Sequence, residues 1–379
     1  MKITGIICEY NPLHLGHKKQ LDLIKARDSA AVCLMSGNFV QRGAPAIVDK
    51  SLRAKAAVLC GADLVLELPV AASLSSAEGF AAQGVRILSA FCDTLCFGTE
   101  TADKDALLSV AEALLSPVFP PALREQLDKG LSFPAARQAA LASIGVKSNI
   151  LTNPNDILAV EYCKAISSQK TPMMPDPIHR AGCYHDSSAD PENPSATALR
   201  HLMENNDPWL DYVPREAQAC FDGAAIHTLA AGERAILARL RCMTESELET
   251  VPYGTEGLWR KFMYAVRQEP TVENILTSVK SKRYTRTRLN RMLLCAFLGI
   301  TNEDLNTPAP YVRVLAFNDR GREILREARK YGHFPNIGEV LDHPYQALEN
   351  RCSDLYGLFC TTAPEAAGTE AQRRVSYLP

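Results

Sequence analysis

The sequence predicts an α/β protein in which a doubly wound parallel sheet is followed by a mostly α-helical region. Short apolar runs alternate with amphipathic helical patterns from residue 2 to about residue 97, which is typical of parallel strands joined by crossover helices. Past Asn205 the strand patterns stop and helical patterns dominate. We therefore expect one domain at residues 1–205, a mostly helical region at 206–362 and a flexible tail at 363–379.

Composition limits the class of protein before any motif is considered. The 379 residues are 46% hydrophobic, enough for two sizeable cores, and the net charge is only −2. The N-terminal apolar run is short and Glu9 interrupts it, and no run reaches the roughly 18 apolar residues of a membrane span. The 12 cysteines contain no CxxC pair. These features predict a reduced cytoplasmic protein without a membrane segment.

The elements of the first domain follow from local patterns. The run from Ile3 to Cys8 is apolar on both faces, as in a covered parallel strand. Helical periodicity begins at about Leu15. The remaining predicted elements are a second strand at Ala30 to Met35, a helix at Lys50 to Cys60, a third strand at Leu64 to Leu68 and a fourth at Thr94 to Phe97.

Two histidines lie where the first strand gives way to the first helix. Asn11-Pro12 is a turn dipeptide, and His14 and His17 are three residues apart, on one side of the first helical turn. A helix N-terminus attracts anions, and Gly16 lets the backbone approach a ligand closely. We expect the two imidazoles to stabilise charge on a phosphoryl group. The alternative is that two surface histidines merely flank a helix start.

The loop after the second strand, SGNFVQRGAP at Ser36 to Pro45, is the second candidate for phosphate binding. Its polar residues and the helix start behind it supply possible triphosphate contacts at Asn38, Gln41, Arg42 and Lys50. A solvated loop of charges is the alternative. Gly98, after the fourth strand, is expected where a side chain would collide with a nucleotide, although a turn glycine would explain it too.

Three later stretches complete the predicted first domain. Asn155 or Asp156 is expected to cap a helix that follows Asn153-Pro154. The stretch from Pro175 to Tyr184 is expected to be extended. Ser195 is expected to cap the helix of SATALR, which carries Arg200, and hydroxyls, backbone N–H groups and a guanidinium suit phosphate.

The helical region contains a basic cluster, KSKRYTRTRLNR, with six basic residues among twelve and no acid. Basic side chains with a stackable tyrosine suit an RNA backbone and unstacked bases, although a charge run is also the usual form of a solvated helix face. The candidate RNA-binding residues are Lys280, Lys282, Arg283, Tyr284, Arg286, Arg288 and Arg291. Beyond the cluster, the stretch from Pro308 to Phe317 predicts an added strand.

The motifs also resemble a known family. His14-Leu15-Gly16-His17 is an HxGH motif similar to that of the HIGH-type nucleotidyltransferase superfamily. Together with FGTE, NDILAVEY and YTRTRL, the two N-terminal loops resemble the bacterial tRNA(Met) cytidine acetate ligase family. This resemblance implies a Rossmann-like catalytic domain that binds ATP, with His14 and His17 as catalytic residues. The ATP-binding residues that it implies are Ile7, Cys8, Glu9, Tyr10, Asn11, Pro12, Leu13, His14, Leu15, Gly16, His17, Lys18, Lys19, Gln20, Gly98, Asn155, Arg180, Ser195 and Arg200. Ala196 departs from the second superfamily motif, where many members carry a further hydroxyl.

The resemblance implies that acetate and ATP form an acetyl-adenylate, which acetylates the wobble cytidine of elongator tRNA(Met) to N4-acetylcytidine. AMP and pyrophosphate would be released, and Mg²⁺ would accompany ATP. Two other functions share the motifs: a small-molecule adenylyl- or cytidylyltransferase, and a non-catalytic nucleotide-sensing RNA-binding protein. The first leaves the basic cluster unexplained, and the second requires no turnover.

Overall fold

A seven-stranded sheet forms the framework of the protein. The structure, a computed structural model, describes residues 1–146, 149–180, 190 and 194–379. Strands β1 to β9 are Ile3–Cys8, Ala30–Ser36, Phe39–Val40, Ala44–Pro45, Leu64–Leu68, Thr94–Thr99, Met174–His179, Val314–Phe317 and Ser376–Tyr377. All but β3 and β4 belong to the main sheet, in the order β7-β6-β1-β2-β5-β8-β9.

The sheet is parallel from β7 to β5, and its order reverses at β1. The chain runs from β1 to β2 and β5 on one side and then crosses back to β6 and β7 on the other. In open α/β sheets such a reversal leaves a crevice beyond the carboxyl ends of the strands, where ligands bind. Strand β8 pairs antiparallel with β5 and extends the sheet. The predicted doubly wound sheet is confirmed.

Both faces of the sheet are covered, which explains the continuous apolar runs. All seven residues of β2 are buried. Ala30, Val32 and Leu34 pack into one core, while Ala31, Cys33 and Met35 pack into another on the opposite face. The strand period of two residues therefore supplies both cores from a single strand.

Helices of the first half cover these faces, and helices of the second half form a third core. Helices α1 to α9 are Leu15–Ala26, Lys50–Leu59, Val70–Ser73, Ala77–Leu88, Lys104–Leu115, Phe119–Asp128, Phe133–Ser143, Pro154–Ser168 and Ala196–Glu204. Helices α10 to α18 are Arg215–Phe221, Glu233–Cys242, Glu245–Glu249, Leu258–Gln268, Val272–Val279, Arg286–Leu298, Asn302–Asn306, Asp319–Ala328 and Pro344–Tyr356. The third core gathers side chains of α11, α13, α14, α15 and α18, and Phe39 of β3 packs into it. The helical region is thus in contact with the loop that follows β2.

Two expectations about local structure need correction. Helix α8 begins at Pro154 after Asn153, so Asn155 and Asp156 lie inside its first turn and do not cap it. The loop after β2 is a small antiparallel hairpin of β3 and β4, whose turn uses Gly43 at φ +75°. A Cβ on Gly43 would lie 2.5 Å from the backbone nitrogen of Arg291, so glycine is required where the hairpin touches α15.

The segment expected to be a flexible tail is instead part of the folded structure. Residues Thr369–Gln372 form a short 3₁₀ helix, and Ser376–Tyr377 form β9, which pairs in parallel with β8. Glu370 is only 2% exposed. The Ala/Thr/Glu composition predicted mobility because it shows no apolar periodicity, whereas buried ion pairs fix this segment. The division at residue 205 stays a prediction.

Within the described ranges, no single helix is long and apolar enough to cross a membrane. The pair α5 and α6 passes the same test only when the two helices are taken together, and it is bent by 79°.

Candidate active site

An open cleft of about 860 Å³ lies at the reversal point of the sheet. Its walls are the carboxyl ends of β1, β6 and β7, the start of α1, the β3–β4 turn and the first turns of α8 and α9. Lining residues from these elements include Glu9, Asn11, His14, His17, Gln41, Arg42, Gly98, Asn155, Arg180, Ser195 and Arg200. The fold thus brings together residues that are up to 194 positions apart in the sequence, from Ile6 to Arg200.

The connection between β1 and α1 is held in an unusual backbone conformation. Tyr10 has φ +44°, a region that non-glycine residues seldom occupy, and the Asn11-Pro12 peptide bond is cis. The Asn11 side-chain oxygen accepts a hydrogen bond from the backbone N–H of Ile47 at 2.7 Å. These contacts turn the chain sharply, so that His14 becomes the N-cap of α1.

The two histidines cap the helix with each other's help. The Nδ1 of His14 accepts a hydrogen bond from the backbone N–H of Gly16 at 3.1 Å, and the Nδ1 of His17 accepts from the backbone N–H of His14 at 3.3 Å. Their rings stack with centroids 3.8 Å apart. A Cβ on Gly16 would lie 3.0 Å from the Cε1 of His14, so this glycine makes room for the histidine ring.

Burial keeps both imidazoles neutral. Desolvation, aided by His17 and the nearby Arg180 and Arg200, holds the pKa of His14 well below its usual value. Desolvation and Arg180 lower the pKa of His17 to about 3. In a neutral ring whose Nδ1 accepts a hydrogen bond, the proton must be on Nε2. Each histidine is therefore a hydrogen-bond donor through Nε2, and the His14 Nε2 is buried without a partner in the described part of the chain.

The charged residues that line the cleft are mostly basic. Among the described lining residues, Glu9 is the only acid, whereas the basic side chains are Lys19, Arg27, Arg42, Arg180 and Arg200. Arg27 pairs with Asp176 at the rim. The Nη1 of Arg200 donates to the Asn11 carbonyl at 2.7 Å, and Ser195 caps α9 by accepting from the backbone N–H of Ala198. A polyanion such as a triphosphate would meet complementary charge and a helix N-terminus here.

Arg53, which the sequence showed only as one basic residue at the start of a helix, fixes the two strand ends beside the cleft. It is fully buried and donates to the carbonyls of Glu9 at 2.6 Å and of Ser36 at 3.0 Å, as well as to that of Gly37. The Glu9 side chain in turn accepts from the backbone N–H of Gln41 at 2.9 Å. No sequence signal separates such an internal arginine from a ligand-binding one.

At the opposite wall of the cleft, hydrogen bonds join the FGTE stretch, residues 97–100, to the NDILAVEY stretch, residues 155–162. The Asn155 Nδ2 donates to Glu100 Oε1 at 2.7 Å, and the Asp156 carboxylate accepts from the backbone N–H groups of Glu100 and Thr101. Gly98 lines the cleft, and a Cβ there would make only an ordinary 3.7 Å contact with Arg180. The protein's own packing therefore does not require glycine at residue 98.

Several predicted ATP-binding residues do not reach the cleft. Leu13 is fully buried, and Pro12, Leu15 and Lys18 are not among the lining residues. Asn38 is buried and donates to the Ser353 hydroxyl.

The prediction that Lys50 contacts the triphosphate is wrong. Its ammonium is 1% exposed and lies 2.7 Å from Glu67 and 2.6 Å from Glu370. Arg313 contacts the same two carboxylates and Glu349, at 2.8–2.9 Å. Lys50 therefore belongs to a buried ionic cluster and is not available to a triphosphate.

The basic cluster divides into exposed and engaged residues. Lys280, Lys282 and Arg283 are exposed, although Arg283 also pairs with Glu256 at the surface. The partly buried Arg286 pairs with Glu273, and the partly buried Arg288 donates to the Tyr253 carbonyl. Arg291 is 8% exposed and donates to the Gln41 carbonyl at 3.4 Å. The prediction that Arg291 contacts RNA is corrected, because its side chain supports the β3–β4 hairpin. The partly buried Tyr284 ring stacks under the Arg288 guanidinium.

Comparisons with known proteins agree with this geometry. The model of a family described as HIGH Nucleotidyl Transferase matches residues 1–371. The chain is 37% identical to the tRNA(Met) cytidine acetate ligase of Clostridium novyi, over 88% of this chain and 89% of the relative. It is similar to the crystal structure of Thermotoga maritima TmcAL in its apo form, with TM-score 0.91, 29% identity and full coverage of both chains. A second structure of that protein, bound with alpha-thio ATP, matches with TM-score 0.88, also at 29% identity and full coverage of both chains.

Proposed function

The chain belongs to the tRNA(Met) cytidine acetate ligase family of HIGH nucleotidyl transferases, and from that premise we propose that it acetylates the wobble cytidine of elongator tRNA(Met) to N4-acetylcytidine in the cytoplasm, using acetate and ATP. The structural observation that carries the proposal is the pair of neutral histidines facing a cleft lined by arginines at the reversal point of the sheet.

The first half-reaction activates acetate. A carboxylate oxygen of acetate attacks the α-phosphorus of ATP, the bond from that phosphorus to the bridging oxygen breaks, and pyrophosphate leaves. The Nε2–H groups of His14 and His17 donate hydrogen bonds to the phosphoryl oxygens as negative charge grows. Because the rings are already neutral and oriented by backbone N–H groups, no proton needs to move to prepare them.

We assign two arginines, Arg180 and Arg200, to binding the departing pyrophosphate. Arg200 is held beside the β1–α1 connection by the Asn11 carbonyl, and its α9 helix opens its N-terminus into the cleft. Arg180 follows β7, whose register with β6 places it opposite the carbonyl of Thr99. Guanidinium groups suit phosphate oxygens because they donate two parallel hydrogen bonds.

The second half-reaction transfers the acetyl group. The N4 amine of the cytidine attacks the acetyl carbonyl carbon of the adenylate, AMP leaves, and N4 loses a proton. Mg²⁺ would enter with ATP, since this ion is usually bound by one or two carboxylates together with substrate phosphates. Glu9, the only acidic lining residue that the structure describes, would be the carboxylate available to it.

The deciding experiment is mass analysis of tRNA incubated with the purified protein, ATP and isotopically labelled acetate. We expect one labelled acetyl group on the wobble cytidine of elongator tRNA(Met), together with AMP and pyrophosphate. A tRNA with the wobble cytidine replaced by uridine is the control. Pyrophosphate release without labelled tRNA would favour a small-molecule nucleotidyltransferase, and nucleotide binding without turnover would favour the RNA-binding sensor.

A further inference from the structure

A second group of chemically reactive side chains lies away from the cleft. His227, Cys360 and Glu365 come from the α10–α11 connection, the end of the last helical turn and the start of the C-terminal segment. Their ligand atoms, an imidazole nitrogen, a thiol sulfur and a carboxylate oxygen, are no farther than 4.8 Å from one another. None of the three belongs to the proposed reaction.

We propose that His227, Cys360 and Glu365 bind one zinc ion, which fastens the C-terminal segment to the helical region.

The backbone around the three residues is already fixed. Residues 226–228 pair with residues 359–361, as Thr361 N–H donates to the Ile226 carbonyl at 2.8 Å and Thr228 N–H donates to the Phe359 carbonyl at 2.9 Å. The two segments thus form a short antiparallel bridge that brings His227 opposite Cys360. A site that is rigid before the ion arrives loses little conformational entropy on binding.

The His227 ring is buried and held firmly by its neighbours. It is 2% exposed and stacks on Tyr356 with centroids 4.1 Å apart and planes 15° apart. Tyr356 is itself anchored, since its hydroxyl donates to the Ala46 carbonyl at 2.8 Å. Neither ring nitrogen makes a well-aligned hydrogen bond within the described ranges. A buried polar group without a well-formed hydrogen bond is unfavourable, and a bound metal would satisfy one of the ring nitrogens.

The separation of His227 and Glu365 is compatible with two ligands of one ion. Nε2 lies 3.2 Å from Glu365 Oε1, within hydrogen-bonding distance, yet the alignment is poor. Two ligands of one ion point at the ion and not at each other. Tetrahedral zinc with bonds of about 2.0–2.2 Å to nitrogen and oxygen separates those atoms by about 3.4 Å. The observed separation is close to that value.

The thiol also suits a metal. The Cys360 sulfur lies 3.3 Å from the Thr362 hydroxyl, which can donate a hydrogen bond to a thiolate. Thiolate, imidazole and carboxylate together select zinc, whereas magnesium and calcium prefer oxygen ligands alone. The Glu365 side chain is 34% exposed, which leaves a path from solvent and room for a water as fourth ligand.

The test uses the full chain, stripped with a chelator and then loaded with Co²⁺ or Zn²⁺ in the presence of excess Mg²⁺. We expect one ion per chain by elemental analysis after dialysis, and a sulfur-to-cobalt charge-transfer band in the Co²⁺ form. Cys360→Ser should abolish that band, whereas Cys242→Ser, at an exposed cysteine, should leave it unchanged.

Glu365→Gln provides a second variant that keeps the fold, because this side chain is partly exposed. It should weaken Zn²⁺ binding by roughly tenfold or more, since even partners that only orient a metal ligand contribute 10–100-fold. A chain that retains no Zn²⁺ at micromolar free metal overturns the proposal. So does a charge-transfer band that survives Cys360→Ser, or Zn²⁺ affinity unchanged in Glu365→Gln.

Discussion

Replacing His17 with glutamine should make the protein less sensitive to acid. In the folded state, desolvation and Arg180 lower the pKa of His17 from 6.5 to about 3. Between these two values the unfolded chain binds a proton at this ring that the folded chain does not. Stability therefore falls as the pH drops below about 6.5. Glutamine cannot titrate, yet its side-chain oxygen can still accept from the backbone N–H of His14.

The size of the effect follows from the two pKa values. Between pH 7 and pH 5 the proton-binding difference amounts to about 1.4 pH units, or about 2 kcal/mol of unfolding free energy. This is an upper bound, because the His17 side chain is only partly buried and water in the open cleft screens its charge. Carboxylates such as Glu370, with a pKa of about 2, lose their contribution to folding stability at lower pH. They therefore do not interfere with the measurement between pH 7 and pH 5.

Urea unfolding at pH 7, 6 and 5 measures the free energy of unfolding of both proteins. The wild type should lose up to about 2 kcal/mol more than His17→Gln over this range. His201→Gln, on an exposed residue, is the matched control and should follow the wild type. If His17→Gln and the wild type lose stability in parallel, the His17 ring is not held neutral in the folded protein, and its assignment as a donor through Nε2 loses its basis.

Three further predictions concern the reaction. His14→Ala should fold but form acetyl-adenylate roughly 10²-fold more slowly or worse, the effect of removing one preorganised donor. Pyrophosphate release without tRNA measures this rate, and an undiminished rate would contradict the assignment of His14 to the active site. Arg200→Met should raise the KM for ATP in the same tRNA-free assay. If only tRNA binding is lost, the Arg200 guanidinium contacts tRNA and not ATP. Neutralising the exposed basic residues should abolish tRNA acetylation but leave adenylate formation intact. It should also flatten the slope of log tRNA affinity against log salt by about 0.7–0.9 per lost phosphate contact, whereas an unchanged slope would identify a solvated surface. The matched comparison is Arg291→Met, which should impair adenylate formation through the β3–β4 hairpin. The residues neutralised are Lys280, Lys282 and Arg283.

Local patterns were enough to predict the core of the site. The strand, the turn and the two histidines fall within Lys2 to Gln20, and their geometry depends on short-range rules: a helix N-terminus gathers free N–H groups, and residues three apart share a face. The resemblance to the second superfamily motif pointed to Ser195 and Arg200, and both lie among the lining residues of the cleft. The parallel sheet could be predicted because apolar runs covered on both faces have a distinctive composition.

Long-range pairing accounts for what the sequence did not reveal. Lys50 looked like a phosphate ligand because a lysine near a polar loop has the same appearance whether its partner is a nucleotide or Glu370, 320 residues later. Arg291 belonged to a dense basic run, and only the packing of α15 on the hairpin shows that it points inward. Arg53 gave no signal, since its partners are backbone carbonyls.

The buried ionic cluster is completed only late in the synthesis of this protein. Lys50 opens helix α2 and Arg313 immediately precedes β8, but one of their shared counter-charges, Glu370, emerges from the ribosome only after nearly all the rest. Until then Lys50 has Glu67, and Arg313 has Glu67 and Glu349, but both cations lack the third carboxylate of the cluster. Breaking a buried pair costs about 3–5 kcal/mol. A chain that ends before residue 370 should therefore have a less stable sheet than the full chain, and we expect proteases to degrade it more readily.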